Sequence, residues 1–336
     1  MTKKNPGAGS GPDTPGLTHA GTYLPGQLRA EAAKRKRKRL VPESISTLMQ
    51  RGLAIETDEA QDAGAIGFMA RAMTMASLPH SRVPGSSFER HNGAFSLSIV
   101  APPRVGLPYG TVPRLLLSWL TTEAVRTSSR ELVLGDTLSG FMRQLDLVPT
   151  GGRWGSIKRL KDQSERLFAS SITAIYKDER RTAIQNHSVA ERADLWWDPT
   201  EPAQGTLWQS MVVLTTNFYN EIIKSPVPVD IRALAALKRS PMALDIYVWL
   251  TYRMSYLKKP TNITWEGLQG QFGAGYPETA RGLRNFRAHF VPALKKVLVV
   301  YPGAKASPIE AGIRLAPGRP HVLKLSVDNS KLPERQ

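Results

Sequence analysis

Two segments that begin with the same three residues, 130 positions apart, constrain the fold of this chain more than any other feature. The letters "WLT" open both "WLTTEAVRT" at Trp119 and "WLTYRMSYL" at Trp249, and a leucine follows each tryptophan 19 residues later, at Leu138 and Leu268. Each leucine lies in a short predicted helix that precedes a glycine-containing turn, a basic helix and two predicted strands. A period of this length indicates a duplicated domain and not a solenoid. A chance repeat stays open, because the shared motif is short.

The order of helix, short strand, helix, turn, basic helix and hairpin is that of a winged helix-turn-helix. Tight turns with glycine hold the second and third helices of such a motif at a steep angle, and "VPTGGRWG" and "GAGYPE" both supply one. We therefore predict an α+β fold with two tandem winged-helix-like domains after a disordered basic N-terminal arm. The arm covers residues 1–57, the first domain 58–203, with an extra helix and hairpin at its start, and the second domain 204–328.

Local patterns add four predictions about single elements. Residues 58–78 have apolar side chains at helical spacing, which predicts a helix. Alternating residues on both sides of Asn92-Gly93 predict a β-hairpin. Thr137 and Asn217 each precede an amphipathic segment and are predicted helix caps.

The charge balance indicates a polyanionic partner. The chain has 336 residues, 45 Lys+Arg against 28 Asp+Glu, and a formal net charge of +17. Nucleic acid is the commonest partner of such a chain, and an anionic membrane surface is the next. The first 45 residues carry a net +6, so that +11 remains for the folded part. Within the arm, "KRKRKR" at 34–39, with Lys36 and Arg37 at its centre, is predicted to contact phosphates; an import signal or a solubility tail is the other interpretation.

The basic helix of the second predicted domain has two chemically distinct faces. Its apolar residues recur at spacings of three and four, namely Leu283, Phe286, Phe290, Leu294 and Val297. The opposite face carries Arg281, Arg284, Asn285, Ala288 and Lys295, with Arg287 at its edge. Arginine can bind guanine through two hydrogen bonds, and asparagine can bind adenine in the same way. We expect this face to contact DNA, against the alternative of an ordinary solvated surface.

Two further groups of basic residues are weaker candidates for DNA contact. The first group lies in and just before the basic helix of the first domain and consists of Arg153, Lys158 and Arg159. Because Asp162 and Glu165 interrupt this basic surface, we expect it to contact either phosphate or another copy of the chain. Arg314 and Arg319 lie in the predicted C-terminal hairpin. They either form a DNA-contacting wing or belong to a solvated turn.

The sequence excludes several kinds of site. It contains no cysteine, which excludes disulfides, zinc–thiolate sites and cysteine nucleophiles. It contains no P-loop, no H-x-H metal motif and no G-x-S-x-G nucleophile elbow. We therefore expect no catalytic residue, cofactor or metal site. No apolar run approaches the roughly 18 residues that cross a bilayer, and no secretory signal is visible, so we expect a cytoplasmic protein without a membrane partner.

Long strings of residues between Ile66 and Val322 resemble the plasmid-encoded RepA family of replication initiators. They include "FERHNGAFSLSIVAPPRVGLPYGTVPRLLLSWLTTEAVRT", "RELVLGDTLSGFMRQLDLVPTGGRWG", "LWWDP" and "KRSPMALDIYVWLTYRMSYL". The resemblance implies initiation of plasmid replication and copy control in bacteria, through repeated origin sites on double-stranded DNA. It also implies melting of an adjacent AT-rich segment, recruitment of host replication proteins, and a switch between a dimer and a monomer. It supplies no site residues, which come only from the helical pattern.

The sequence thus favours a non-catalytic, sequence-specific DNA-binding initiator associated with the plasmid or nucleoid. A winged-helix transcriptional regulator of the same architecture stays open. So do a nickase or recombinase with unusual residues, and an RNA-binding module.

Overall fold

The computed structural model of this chain describes residues 45–57, 59–75, 77–153, 155–180, 182–195, 210–273 and 275–323. All of them belong to one compact unit, Ser44–Gln336. The described helices are α1 (Ile45–Thr57), α2 (Ala72–Met75), α3 (Thr111–Thr127), α4 (Leu138–Gln144), α5 (Ser156–Phe168), α6 (Thr216–Lys224), α7 (Ile231–Leu237), α8 (Pro241–Met254), α9 (Trp265–Phe272) and α10 (Ala280–Val300). The described strands are β1 (Ile66–Met69), β2 (Ser87–Asn92), β3 (Phe95–Val100), β4 (Glu131–Val133), β5 (Ser171–Lys177), β6 (Thr182–Ser188), β7 (Ala190–Asp194), β8 (Met211–Leu214), β9 (Val227–Asp230), β10 (Thr261–Thr264), β11 (Lys305–Ile309) and β12 (Gly312–Ala316).

The two tryptophan-led segments have the same order of elements. The first runs α3, β4, α4, α5, β5, β6, and the second runs α8, β10, α9, α10, β11, β12. Their sheets differ, however. In the second segment β10, β12 and β11 form one antiparallel sheet in that order, whereas β4 of the first segment pairs with β8, and the hairpin β5–β6 joins β2 and β3 in another sheet. The order of elements is therefore as predicted, and the winged-helix description stays a prediction.

The predicted hairpin at Asn92-Gly93 is present. Strands β2 and β3 pair from Ser87↔Val100 to Asn92↔Phe95, and Gly93 has a φ of 59°. Glycine adopts this left-handed conformation without steric cost. The prediction of a hairpin from the local sequence is thus confirmed.

The predicted helix over residues 58–78 is wrong for the described residues. Strand β1 occupies the middle of this segment and pairs antiparallel with β9, and only the four residues of α2 are helical. Gly67 allows a close approach of this strand to α7, because a Cβ at this position would lie 2.7 Å from the Cγ1 atom of Ile231. A distant strand and a close approach of the backbone thus override the apolar periodicity of the segment.

Helix α1 lies within the predicted disordered arm, so the prediction is wrong for residues 45–57. Leu48 and Ile55 of this helix are buried, and the Cβ of any residue replacing Gly52 would lie 2.4 Å from the backbone oxygen of Val299 in α10. The glycine therefore allows α1 to pack closely on α10. Residues 1–44, including Lys36 and Arg37, lie outside the described residues.

The two predicted domains share one hydrophobic core. The core residues extend from Leu48 to Leu315, and two strand pairs, β1–β9 and β4–β8, join residues on both sides of the predicted boundary at 203/204. The boundary itself, like the "WWDP" segment at 196–199, lies outside the described residues. The division into two domains stays a prediction.

One of the two predicted helix caps is correct. The hydroxyl of Thr137 accepts a hydrogen bond from the backbone N–H of Gly140 at 3.0 Å. Asn217 is not a cap but lies inside α6, whose cap is Thr215, with its hydroxyl accepting from the N–H of Phe218. Threonine and asparagine both favour cap positions, so the local sequence does not decide between Thr215 and Asn217, and the tertiary fold starts α6 after Thr215.

Candidate nucleic-acid interface

Helix α10 is held in place by a row of aromatic rings on its inner face. Phe286 and Phe290 are fully buried, with ring centroids 5.3 Å apart. The ring of Phe290 contacts Phe272 at 5.5 Å and Trp265 at 6.0 Å, both of which belong to α9. Such contacts stabilise beyond their buried area by about 0.5–1.5 kcal/mol each. The predicted apolar stripe is therefore the buried side of α10, although Leu283 is only half-buried.

The start of α10 is fixed by a cap and by a glycine. The hydroxyl of Thr279 accepts a hydrogen bond from the N–H of Gly282 at 3.1 Å. A Cβ atom at position 282 would lie 1.9 Å from the backbone oxygen of Pro277, in the turn between α9 and α10. The absence of a side chain therefore lets the first turn of α10 pack directly against this turn.

The outward face of α10, which we define by Arg281, Arg284, Asn285 and Ala288, is exposed. Arg281 and Ala288 are two helical turns apart, about 10 Å along the axis. Within the described part of the chain, neither Arg281 nor Arg284 forms an ion pair with a carboxylate. Both guanidinium groups are thus available to an external anion or to a base edge. Lys295 is also exposed, further along the helix.

Arg287 points away from the outward face. Its guanidinium carbon lies 4.9 Å from the ring centroid of Trp265, which is the geometry of a cation–π contact. The indole N–H of Trp265 in turn donates to the backbone oxygen of Glu310, between β11 and β12. Arg287 therefore links α10 to the C-terminal hairpin and is less available for contact with bases.

The two predicted hairpin arginines have different surroundings. Arg314 is exposed in the middle strand β12, where its neighbours across the sheet are Asn262 of β10 and Ser307 of β11. Arg319 follows the hairpin and forms an ion pair with Glu59 at 2.6 Å. Because this guanidinium is already paired within the chain, we leave Arg319 out of the candidate interface.

The basic residues of the first half lie on a separate helix. Lys158 and Arg159 are exposed near the start of α5, and Arg153 is exposed in the turn that precedes it. One of the acids that interrupt this surface, Asp162, pairs with Arg166 at 2.9 Å. The structure thus does not join these three residues to the outward face of α10 through any shared element.

A buried ion pair between the two tryptophan-led helices was not predicted. The guanidinium of Arg114 in α3 donates two hydrogen bonds to Asp245 in α8, at 2.6 and 2.7 Å, and His80 bonds the same carboxylate at 2.7 Å. The sequence contained a signal, since each helix carries one charged residue within an apolar tract, "VPRLLLSWL" and "MALDIYVWL". A charge inside an apolar tract requires a partner.

The protonation states of this cluster follow from its surroundings. Burial raises the pKa of Asp245, but the charge of Arg114 and the hydrogen bonds from His80 and Arg114 together lower the pKa below its usual value. Burial lowers the pKa of His80, although the bond to Asp245 acts in the opposite direction. The cluster therefore contains an ionised carboxylate, a charged guanidinium and a neutral imidazole at neutral pH.

The described residues contain no group of three or more His, Cys, Asp or Glu that could hold a metal ion. Among the described helices, none combines the length and the apolar character needed to cross a bilayer.

Comparison with known proteins matches part of the chain to a family. Two crystal structures are similar to this chain, each with 11% sequence identity. The structure of RctB domains 2-3 has a TM-score of 0.44, and the match covers 72% of this chain and 93% of that one. A selenomethionine derivative of RctB domains 2 and 3 has a TM-score of 0.47, and the match covers 76% of this chain and 97% of that one. No curated protein matches the chain. Residues 107–267, from the loop before α3 into α9, match the family described as plasmid encoded RepA protein. The resemblance inferred from the sequence is thereby confirmed for residues 107–267, which match the plasmid-encoded RepA family.

Proposed function

We propose that this protein is a plasmid replication initiator that binds repeated origin sites on double-stranded DNA through α10. The observation that carries the proposal is the outward face of this helix, on which two arginines that have no carboxylate partner among the described residues accompany an exposed asparagine and a small alanine. A helix fits the major groove of B-DNA, about 12 Å wide, where arginine and asparagine side chains can distinguish base pairs. The match of residues 107–267 to the RepA family supports the role in replication.

The remaining basic residues have secondary roles in this proposal. Arg314 on the C-terminal sheet contacts the phosphate backbone, and Lys295 extends the basic surface along α10. Arg153, Lys158 and Arg159 contact phosphate or a second copy of the chain. The arm with Lys36 and Arg37 adds affinity that does not depend on sequence and that decreases steeply with salt.

The protein acts in this proposal without catalysis, cofactor or metal of its own. It recruits the host replication proteins, switches between monomer and dimer, and works in the bacterial cytoplasm on its plasmid. The dependence of a plasmid on this protein supplied in trans distinguishes an initiator from a transcriptional regulator of the same architecture. Incubation of supercoiled origin DNA with the protein and a divalent metal distinguishes it from a nickase, which would convert the DNA to the open-circular form.

Binding to duplexes from the plasmid DNA that surrounds the gene tests the proposal. We expect Arg284→Ala to weaken binding to the origin site by about 1–3 kcal/mol and to change binding to a scrambled duplex much less. The matched control is Lys224→Ala, which removes one positive charge from the exposed end of α6. Equal affinity of wild-type protein and Arg284→Ala for the origin site would show that another surface recognises the DNA.

A further inference from the structure

A cleft of about 500 Å³ lies beside the outward face of α10. One wall consists of α10 residues, among them Ala288, His289 and Lys296. The other walls come from the segment that contains His80 and Ser81 and from the residues around the start of α8. Because Ala288 belongs to both the cleft and the outward face, the two surfaces are continuous.

The lining of this cleft, which we call the Lys296 cleft, is suited to a phosphodiester. Its charged side chain is the ammonium group of Lys296, and no carboxylate is among the described residues that line it. Three residues with hydroxyl groups, Ser81, Ser240 and Tyr276, also line it. The oxygen of Ser240 accepts a hydrogen bond from the N–H of Ala243, so its own proton can be donated to a ligand. A phosphate offers only acceptors to such donors, and charge-assisted hydrogen bonds are the stronger kind.

Apolar residues in the same cleft match the remainder of a nucleic-acid strand. Val83 and Pro292 line the cleft together with the polar groups. A sugar can pack against such side chains while its phosphate contacts the hydroxyls and the ammonium group. A volume of several hundred Å³ is also larger than a single phosphate needs and is typical of sites that hold a larger ligand.

The buried ion pair fixes the wall opposite α10. The guanidinium of Arg114 donates to the backbone oxygens of Leu78 and Pro79, at 2.7 and 3.2 Å, in addition to its bonds with Asp245. The next residue, His80, bonds Asp245 directly. The segment that leads into Ser81 is therefore held by three hydrogen bonds to one buried cluster, and the cleft is formed before a ligand binds.

We propose that the Lys296 cleft holds the sugar–phosphate backbone of one DNA strand that borders the groove occupied by α10. This inference rests on the proposed function. A helix in the major groove has a phosphate backbone along each of its flanks, and the cleft lies along one flank of the outward face. Lys296 then fixes the position of α10 on the duplex without distinguishing sequences, as backbone contacts do.

Single-phosphate neutralisation tests the proposal. The origin duplex is prepared with one methylphosphonate at a time, and binding of wild-type protein, Lys296→Ala and Lys224→Ala is measured over a range of salt concentrations. We expect Lys296→Ala to weaken binding to origin and scrambled duplexes alike, and to reduce the salt slope by about one. At least one methylphosphonate should weaken DNA binding by wild-type protein and by Lys224→Ala but not weaken binding by Lys296→Ala any further. Such non-additive effects are expected of two groups in direct contact.

The outcomes separate this inference from the function on which it rests. If every methylphosphonate weakens DNA binding by wild-type protein and by Lys296→Ala equally, the cleft does not hold the backbone. The proposed function can still be correct in that case, and Arg284→Ala would then lose binding to the origin. If wild-type protein does not prefer the origin to a scrambled duplex, the proposed function fails. The last measurement is a titration of the protein–DNA complex with deoxyadenosine monophosphate or with inorganic phosphate. If either compound binds while DNA is bound, and if this binding requires Lys296, the cleft holds a free ligand and the proposal is wrong.

Discussion

At the scale of single residues, the two tryptophan-led helices are joined by a pair of opposite charges. Arg114 is 5% exposed and Asp245 is 8% exposed, so both charges have been transferred out of water. Ions in such surroundings are tolerated only when each is paired and hydrogen-bonded. The pair therefore makes the contact between α3 and α8 specific, and it also holds the wall of the Lys296 cleft.

Removal of one partner should destabilise the whole chain. We expect Arg114→Ala to lower the free energy of unfolding by about 3–5 kcal/mol, because the carboxylate of Asp245 then stays buried without its counter-ion. Urea unfolding followed by tryptophan fluorescence measures the change. The control is Arg126→Ala, which breaks the exposed pair with Glu123 and should leave the unfolding midpoint unchanged. Similar midpoints for both variants would show that the buried pair is not required.

A second prediction at this scale concerns pH. Burial lowers the pKa of His321 to about 4, although the charge of Asp230 acts in the opposite direction. The imidazole of His321 belongs to a hydrogen-bonded network, because its Nδ1 and the hydroxyl of Tyr247 share a hydrogen bond at 2.7 Å, and that hydroxyl accepts from the backbone N–H of Asp230. In the unfolded chain the pKa of a histidine is about 6.5.

The sign of the effect follows from these two pKa values. Because the pKa of His321 is lower in the folded protein than in the unfolded chain, its contribution to stability is fully present above about pH 6.5 and is lost as the pH falls toward about 4. Within this window the free energy of unfolding decreases by up to about 1.4 kcal/mol per pH unit. We expect His321→Phe to be less stable than wild type at pH 7.5, with a difference that decreases by pH 4.5. Urea unfolding at both pH values measures it, and a difference that does not change with pH would contradict the account.

At the scale of elements, local patterns predicted the helices well and the sheet partners poorly. The basic helices of both predicted domains are present, as α5 and α10, because the apolar periodicity of each is contained in its own sequence. Strand β1 was predicted as helix, since its partner β9 lies about 160 residues away along the chain. The two faces of α10 were likewise predictable, whereas the pairing of Arg319 with Glu59, 260 residues away, was not.

The packing of α10 on the preceding turn gives a prediction for this element. Alanine normally stabilises a helix relative to glycine by about 1 kcal/mol, but Gly282→Ala should destabilise the protein, because its Cβ would overlap the backbone oxygen of Pro277. We also expect weaker DNA binding, since the first two turns of α10 carry Arg281 and Arg284. Thermal unfolding and duplex binding measure both effects.

Gly267→Ala is the matched control for this substitution. Gly267 lies in α9, and a Cβ there would be in ordinary contact with the hydroxyl of Thr264, at 3.4 Å. This variant should be at least as stable as wild type. A stabilising effect of Gly282→Ala, equal to that of Gly267→Ala, would show that the turn can move away from the helix without cost.

At the scale of the whole molecule, the shared core predicts that the two halves unfold together. Strand β9 needs β1, strand β8 needs β4, and Asp245 needs Arg114, so neither half can satisfy its buried groups alone. We expect one cooperative unfolding transition by tryptophan fluorescence and by circular dichroism, with coincident midpoints. Two separated transitions would indicate two independent domains, as the sequence-based boundary at 203/204 predicts.

The most direct test of the account asks whether the outward face of α10 enters the major groove of origin DNA. Because the chain has no cysteine, Ala288→Cys provides a single attachment point for an iron–EDTA cleavage reagent. Thr127→Cys, exposed at the end of α3, is the control position. We predict that the reagent at position 288 cleaves the origin at a few nucleotides within each bound repeat, whereas the reagent at position 127 does not produce this pattern. Bound protein that cleaves no discrete position from residue 288 would contradict the assignment of α10 to the DNA.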